Sequence, residues 1–178
     1  NQKIRDLRRI LLNEYDPESC VKSIIFVDLY GNTVEVGTAA WDVSGESFTA
    51  IKKQMEQGKG AYTTYGPTEE CPYLLSGRVV RNRLDMSLSD MGKLIFVCDV
   101  GNVISENKES LSSNKAAIYV YNKNCAIYED ENIKKLDDLP KYVEHSGYKI
   151  LKQSGRKYFV SYLYSAKTDW TYVSFFPY

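Results

Sequence analysis

Short runs rich in β-branched and aromatic residues, each closed by a turn signal, recur along the chain in one order: hairpin, helix, strand pair, and then the same series again. That order excludes a helix bundle and an alternating βαβ chain, and it predicts an α+β fold built on antiparallel sheets. Ahead of the first series, Ile4, Leu7 and Leu11 fall at helical spacing. Ile10 and Leu12 widen this stripe, while Arg5, Arg8 and Arg9 lie largely off it. An amphipathic helix is therefore expected from Asn1 to about Tyr15. It ends at Asp16-Pro17, because the residue before proline avoids helical backbone angles.

In the first series, Ser23 to Tyr30 and Thr33 to Gly37 predict a β-hairpin around the turn pair Gly31-Asn32. Phe48, Ile51 and Met55 then mark one face of a helix from Ser47 to Gln57, with Ser44 or Ser47 as its cap and Gly58 and Gly60 as its stop. After Tyr62, Tyr65 and a Gly66-Pro67 turn, strands are expected over Leu74 to Leu84 and Lys93 to Ile104. Glu106 to Lys115 is polar and Ser/Asn-rich and reads as a connector. The second series comprises Ala116 to Tyr121, a turn at Asn122-Lys123-Asn124, and Cys125 to Tyr128. A short helix bracketed by Pro140 and Gly147 follows, and then strands over Lys157 to Ser165 and Trp170 to Phe176. The expected organisation is thus a helix over 1–18, a first unit over 19–105, a linker over 106–115 and a smaller second unit over 116–178.

Composition narrows the function. Lys plus Arg and Asp plus Glu both total 23, so the chain has no net field to gather nucleic acid or another polyanion. His145 is the only histidine, and the motifs of zinc proteases, nucleophile elbows and dinucleotide folds are all missing. Gly58-Lys59-Gly60-Ala61 lacks the spacing and the Ser/Thr of a phosphate loop, and Glu69-Glu70 and Asp137-Asp138 read as solvated. No catalytic residue, metal site or cofactor is expected. Cys20, Cys71, Cys98 and Cys125 contain no C-x-x-C pair; they fit partly buried thiols, and two disulfides stay open. No run of about 18 apolar residues occurs. A start at Asn1 and an end at Tyr178 directly after a strand-like run lead us to expect an internal segment of a longer protein.

The C-terminal stretch runs Ser154-Gly155-Arg156-Lys157-Tyr158-Phe159-Val160-Ser161-Tyr162, then Ser165, Thr168-Asp169-Trp170-Thr171-Tyr172-Val173-Ser174 and Phe176-Pro177-Tyr178. It resembles the close of membrane-proximal Cache units, where a last strand passes through a Trp and a Pro into a transmembrane helix. Gly77-Arg78-Val79-Val80-Arg81 and Gly92-Lys93-Leu94-Ile95-Phe96-Val97-Cys98-Asp99 similarly resemble the end of the distal unit in sensor histidine kinases. With the layout over nearly the whole chain, the sequence resembles the double-Cache sensor domains of bacterial receptors. The resemblance implies a long N-terminal helix followed by two PAS-like (Cache) units, each an antiparallel sheet flanked by short helices. It also implies a place on the extracytoplasmic side of the cell membrane, anchored by flanking helices, in a receptor that works as a homodimer. A sensor histidine kinase or a membrane-bound AraC-type regulator would be the owner.

Such a receptor takes a small molecule in its distal unit. Aromatic walls with a few charges suit that role, which nominates Trp41, Tyr62, Tyr65, Arg81, Arg83 and Asp99. Arginine can fork onto a carboxylate, an acidic group can receive an ammonium, and the rings add contact area and cation–π attraction. The family's amino-acid pattern has an Arg two residues before a Trp-Tyr pair, whereas here Ala39-Ala40 precede Trp41-Asp42. Amino acids therefore stand beside carboxylates, sugars and short peptides as ligand classes. Tyr158, Tyr162, Tyr164, Trp170 and Tyr172 read as sheet packing. Fifteen tyrosines and two tryptophans also keep a secreted carbohydrate-binding or adhesion module in view.

Overall fold

A computed structural model describes residues 2–38, 45–84, 88–102, 104, 116–131, 133, 143–153 and 155–177. The chain divides into two compact units, Asn1–Asp99 and Val100–Tyr178. The expected connector at 106–115 lies outside the described residues.

The first unit opens with helix α1 (Gln2–Glu14). Only the Leu7 and Leu11 line of its stripe packs, against Ile24, Val34 and Val36; Ile4, Ile10 and Leu12 are exposed, so the stripe is narrower than expected. Asp16 closes the helix, its carboxylate accepting the Glu18 N–H at 2.9 Å and its carbonyl the Ser19 hydroxyl at 2.7 Å. Strands β1 (Val21–Asp28) and β2 (Thr33–Gly37) form the expected hairpin.

The hairpin's turn is built on Asp28. Its carboxylate accepts the backbone N–H groups of Tyr30 and Asn32 at 2.9 and 2.8 Å and the Asn32 side-chain amide at 2.8 Å. The Asn32 side-chain bond does most to hold the Asp28 carboxyl below its ordinary range; desolvation, the next largest effect, opposes it, and the backbone N–H donors add to the lowering. A depressed folded-state pKa contributes stability above the ordinary aspartate value, and that contribution is lost as pH falls through the folded value. Acid titration followed by the Tyr30 and Asn32 amide resonances is expected to loosen this turn only below the ordinary aspartate range; Asp28→Asn should remove that pH dependence.

Helix α2 (Glu46–Gln57) buries Phe48, Ile51 and Met55 as its spacing predicts. Its N-cap is Gly45 without a side-chain bond, and Ser47 lies inside the helix and is buried, so it is not the cap. Strands β3 (Thr63–Tyr65), β4 (Leu74–Arg81) and β5 (Asp90–Cys98) complete an antiparallel sheet in the order β2-β1-β5-β4-β3. The strand expected to reach Leu84 stops at Arg81, and the one expected to reach Ile104 stops at Cys98. Alternation sorts the sheet into two covered faces. Ile24, Val34 and Val36 face α1, whereas Ile25, Val27, Leu75, Val79, Ile95 and Val97 meet α2.

The second unit is a sheet of β6 (Ala117–Tyr121), β7 (Ala126–Glu129), β8 (Gly147–Gln153), β9 (Arg156–Ser165) and β10 (Trp170–Pro177). Its order, β7-β6-β10-β9-β8, repeats that of the first sheet: second, first, fifth, fourth, third in sequence. The core is Ala117, Tyr121, Ile133, Val160, Val173 and Phe175, with Tyr119, Tyr158 and Tyr162 packed on it, so the strand aromatics at 158 and 162 are packing residues as expected. On the opposite face, the Ser161 and Ser174 hydroxyls share a hydrogen bond of 2.7 Å.

Sequence reading had no strand for β3 or β8. The short helix expected between Pro140 and Gly147 is not found: 140–142 lie outside the described residues, Val143–Ser146 is not helical, and Gly147 opens β8. A Cβ at 147 would sit 2.7 Å from the Tyr162 hydroxyl, so this glycine admits a ring across the strand pair and does not stop a helix. Among the described residues, no helix is long and apolar enough to cross a membrane.

Candidate ligand-binding site

On the α2 side of the first sheet, strand register lines up two rows of residues. One runs Gly37, Ser23, Val97, Leu75, Tyr65, and the next runs Glu35, Ile25, Ile95, Gly77, Thr63. The middle of this face is filled by the core residues of α2, and Gly77 makes room for them: a Cβ there would come within 2.8 Å of the Met55 sulfur. Polar groups gather at the β1–β2 edge. Ser23 is fully buried, and Glu35, opposite Ile25, has an enclosed carboxylate oxygen with no hydrogen-bond partner among the described residues. Buried polar atoms in native folds almost always have a partner, so an enclosed, unsatisfied carboxylate oxygen marks a place where a donor belongs.

The start of α2 is fixed at the same end of the sheet. Cys71, next to β4, accepts a bond from the Ser47 hydroxyl and donates its own thiol to the Tyr73 carbonyl at 3.3 Å; burial pushes this thiol up. The segment 39–44 joins β2 to α2, and within it Trp41 lies outside the described residues.

The structure separates the other nominated residues. Tyr65 packs against the core beside Leu75, and Asp99 follows the last residue of β5, its N–H bonded to the Cys20 carbonyl at 2.8 Å. Both belong to the Ser23 end of the sheet. Arg81 lies at the other end, where its Nε meets Asp90 Oδ1 at 3.1 Å and its guanidinium rests over Gly60. Asp90 and Asp99 are nine residue steps apart along β5, about 30 Å at strand rise, which is farther than one small molecule reaches. Arg83 is exposed beyond the end of β4. Tyr62 is 62% exposed, with the Arg78 guanidinium 5.0 Å above its ring. Sequence reasoning missed Ser23 and Glu35. The signal available was a lone Ser on the same side of β1 as Ile25 and Val27.

His145 is exposed, its ring edge-on to Tyr162 at 5.6 Å between centroids. Among the described residues, no group of three or more His, Cys, Asp or Glu could hold a metal ion.

No family model matches the sequence. The chain is similar to the sensor histidine kinase YesM of Bacillus subtilis (strain 168), at 23% identity over 171 aligned residues that take in 90% of this chain and 28% of the kinase. It thus spans little more than a quarter of that protein's length. Among solved structures, it superimposes on the ligand-binding domain of Mlp24 with asparagine at a TM-score of 0.57 and 12% identity, covering 99% of this chain and 76% of that one. The two share a fold, one that fits the Cache type. A second match is the ligand-binding domain of the Pseudomonas aeruginosa PAO1 amino acid chemoreceptor PctC in complex with GABA, at a TM-score of 0.54 and 12% identity over 98% of this chain and 90% of that one. In this chain, the unsatisfied carboxylate and the buried serine lie under one edge of the first sheet.

Proposed function

We propose that the chain is the extracytoplasmic ligand-sensing domain of a bacterial transmembrane receptor, one whose cytoplasmic part is a sensor histidine kinase, and that it takes a small molecule in its first unit. The observation that carries this reading is the Glu35 carboxylate oxygen, enclosed without a donor next to buried Ser23. The matches to YesM and to the ligand-binding domains of Mlp24 and the chemoreceptor PctC support it. Glu35 would receive a ligand ammonium beside Ser23, while Tyr65, on the opposite edge strand, and Asp99, two strands away, would lie outside the site. Arg81 is not part of this site, because it is held by Asp90.

The ligand class that fits an enclosed carboxylate is an amine-bearing small molecule, with amino acids first. The first unit would then be membrane-distal and the second membrane-proximal, in a homodimer joined to the membrane by helices at either end. The same module on an AraC-type membrane regulator would bind in the same way. Signalling would need the ligand to favour one of two arrangements, by about 5.5 kcal/mol for a near-complete switch.

Thermal unfolding against amino acids, amines, carboxylates, sugars and short peptides tests the site. A ligand at a hundredfold over its Kd adds about 2.7 kcal/mol, which raises Tm by roughly 5 to 10 °C at this size. The expected result is a shift with one amine-bearing class that Glu35→Gln abolishes. A shift of equal size in wild type and variant would move the site away from Glu35, and no shift with any class would contradict small-molecule sensing.

A further inference from the structure

Two cysteines far apart in sequence meet where the first sheet begins and ends. Val21 is the register partner of Cys98, and the Asp99 N–H donates to the Cys20 carbonyl at 2.8 Å, so Cys20 lies one step along from the position facing Cys98. A strand spacing of about 5 Å with an offset of about 3.4 Å gives a Cα separation of about 6 Å, inside the range a disulfide spans. Regular alternation would send these side chains to opposite faces. Here Cys20 precedes β1 and the pairing shifts between Val21 and Ser23, so alternation does not hold, and the Cys98 thiol hydrogen-bonds to the Cys20 sulfur. Both residues are partly exposed, which leaves a small thiol reagent a route to them.

We propose that Cys20 and Cys98 are a redox-active pair that closes to a disulfide on meeting an oxidised low-molecular-weight disulfide such as oxidised glutathione. One sulfur attacks the glutathione disulfide, forming a protein–glutathione mixed disulfide and releasing one glutathione thiolate. The second sulfur then attacks the protein sulfur of that adduct and releases the other. The two protein thiols lose two protons and two electrons, and one oxidised glutathione becomes two reduced ones. Burial and the neighbouring Cys20 sulfur push Cys98 up to about 11, so Cys98 is a protonated thiol at neutral pH. Cys20 therefore makes the first attack, and ring closure by Cys98 is the slow step, accelerating as pH rises.

Closure would join the residue that leads into β1, just after the turn that ends α1, to the last residue of β5, where the chain leaves the first unit. Such a staple locks the central strand pair of the sheet at one end. Cys71 donates to the Tyr73 carbonyl inside the core and has no part in the exchange.

The test is to equilibrate the purified chain with oxidised and reduced glutathione, quench with acid, and map its peptides by mass spectrometry. The expected result is a linked Cys20–Cys98 peptide lighter by two hydrogens, with Cys71 and Cys125 still alkylatable. The loop closed is roughly 80 residues, so the oxidised form should melt roughly 5 to 15 °C above the reduced form. Cys20→Ser and Cys98→Ser should each abolish that difference, and Cys20→Ser should melt like the reduced wild type, since its position is partly exposed. Four alkylatable thiols after oxidation, glutathione adducts without the linked peptide, or a link through Cys71 or Cys125 would overturn the proposal.

Discussion

Replacing Phe48 by alanine is expected to cost about 3 to 5 kcal/mol, because its side chain is buried to within 1% and the hole left behind cannot close. Phe48 lies on the one face of α2 that meets the sheet, among Ile25, Leu75, Ile95 and Val97. The helix is short, and twelve residues with no side-chain cap have little stability of their own, so it depends on this packing. For a chain of this size the loss corresponds to a fall in Tm of roughly 6 to 20 °C. Scanning calorimetry measures it directly. Hydrogen exchange adds the location, since amides of β1, β4 and β5 should lose protection together. A fall of only a few degrees would mean that α2 is not pinned to the sheet as described.

Gly37→Ala is expected to be nearly as damaging, at about 2 to 5 kcal/mol, from backbone strain and overpacking together. Gly37 has φ +127°, and a Cβ there would sit 2.3 Å from the Lys22 carbonyl and 2.6 Å from the Ser23 Cα. Both obstacles are backbone atoms of the neighbouring strand, so no side-chain rotation relieves them. Gly31 in the hairpin turn provides the control. It also has positive φ, +86°, but nothing stands within 4 Å of its missing Cβ, so Gly31→Ala should cost only about 1 kcal/mol. Urea unfolding of the two variants separates the cases. Because Gly37 borders Ser23 and opens the segment toward α2, its variant should also lose the ligand-induced shift at temperatures where it is still folded.

The elements that sequence reading found are those whose apolar residues repeat over at least one full period of a helix or strand. Phe48, Ile51 and Met55 identified α2, and Val34 and Val36 identified β2. β3 escaped because three residues carry no period, and β8 because Lys149 and Lys152 interrupt its alternation, which the neighbouring strand imposes through register. Ile10 and Leu12 were assigned to the buried stripe of α1 because hydrophobicity says which residues can be covered and not how wide the covering surface is.

The site was less legible than the fold for a related reason. Arg81, Arg83 and Asp99 were grouped by chemical fitness, but the residues that meet are set by register, and register runs Arg81 to Asp90 at one end and Asp99 to Cys20 at the other. Glu35 sits between Val34 and Val36, where a sheet with one wet face would leave it in solvent. This sheet has a helix on each face, so the residue alternating with the α1-facing valines turns inward as well. That a second helix covers the face is a tertiary fact, and strand periodicity carries no trace of it.

Amide chemical-shift mapping of the isotope-labelled chain, titrated with an amino-acid and amine panel that includes asparagine and GABA, tests the central claim most directly. Saturable shifts centred on Ser23 and Glu35, absent in Glu35→Gln, are the predicted result. Saturable shifts confined to β6 through β10, or no saturable shift at millimolar ligand, would contradict a ligand site in the first unit.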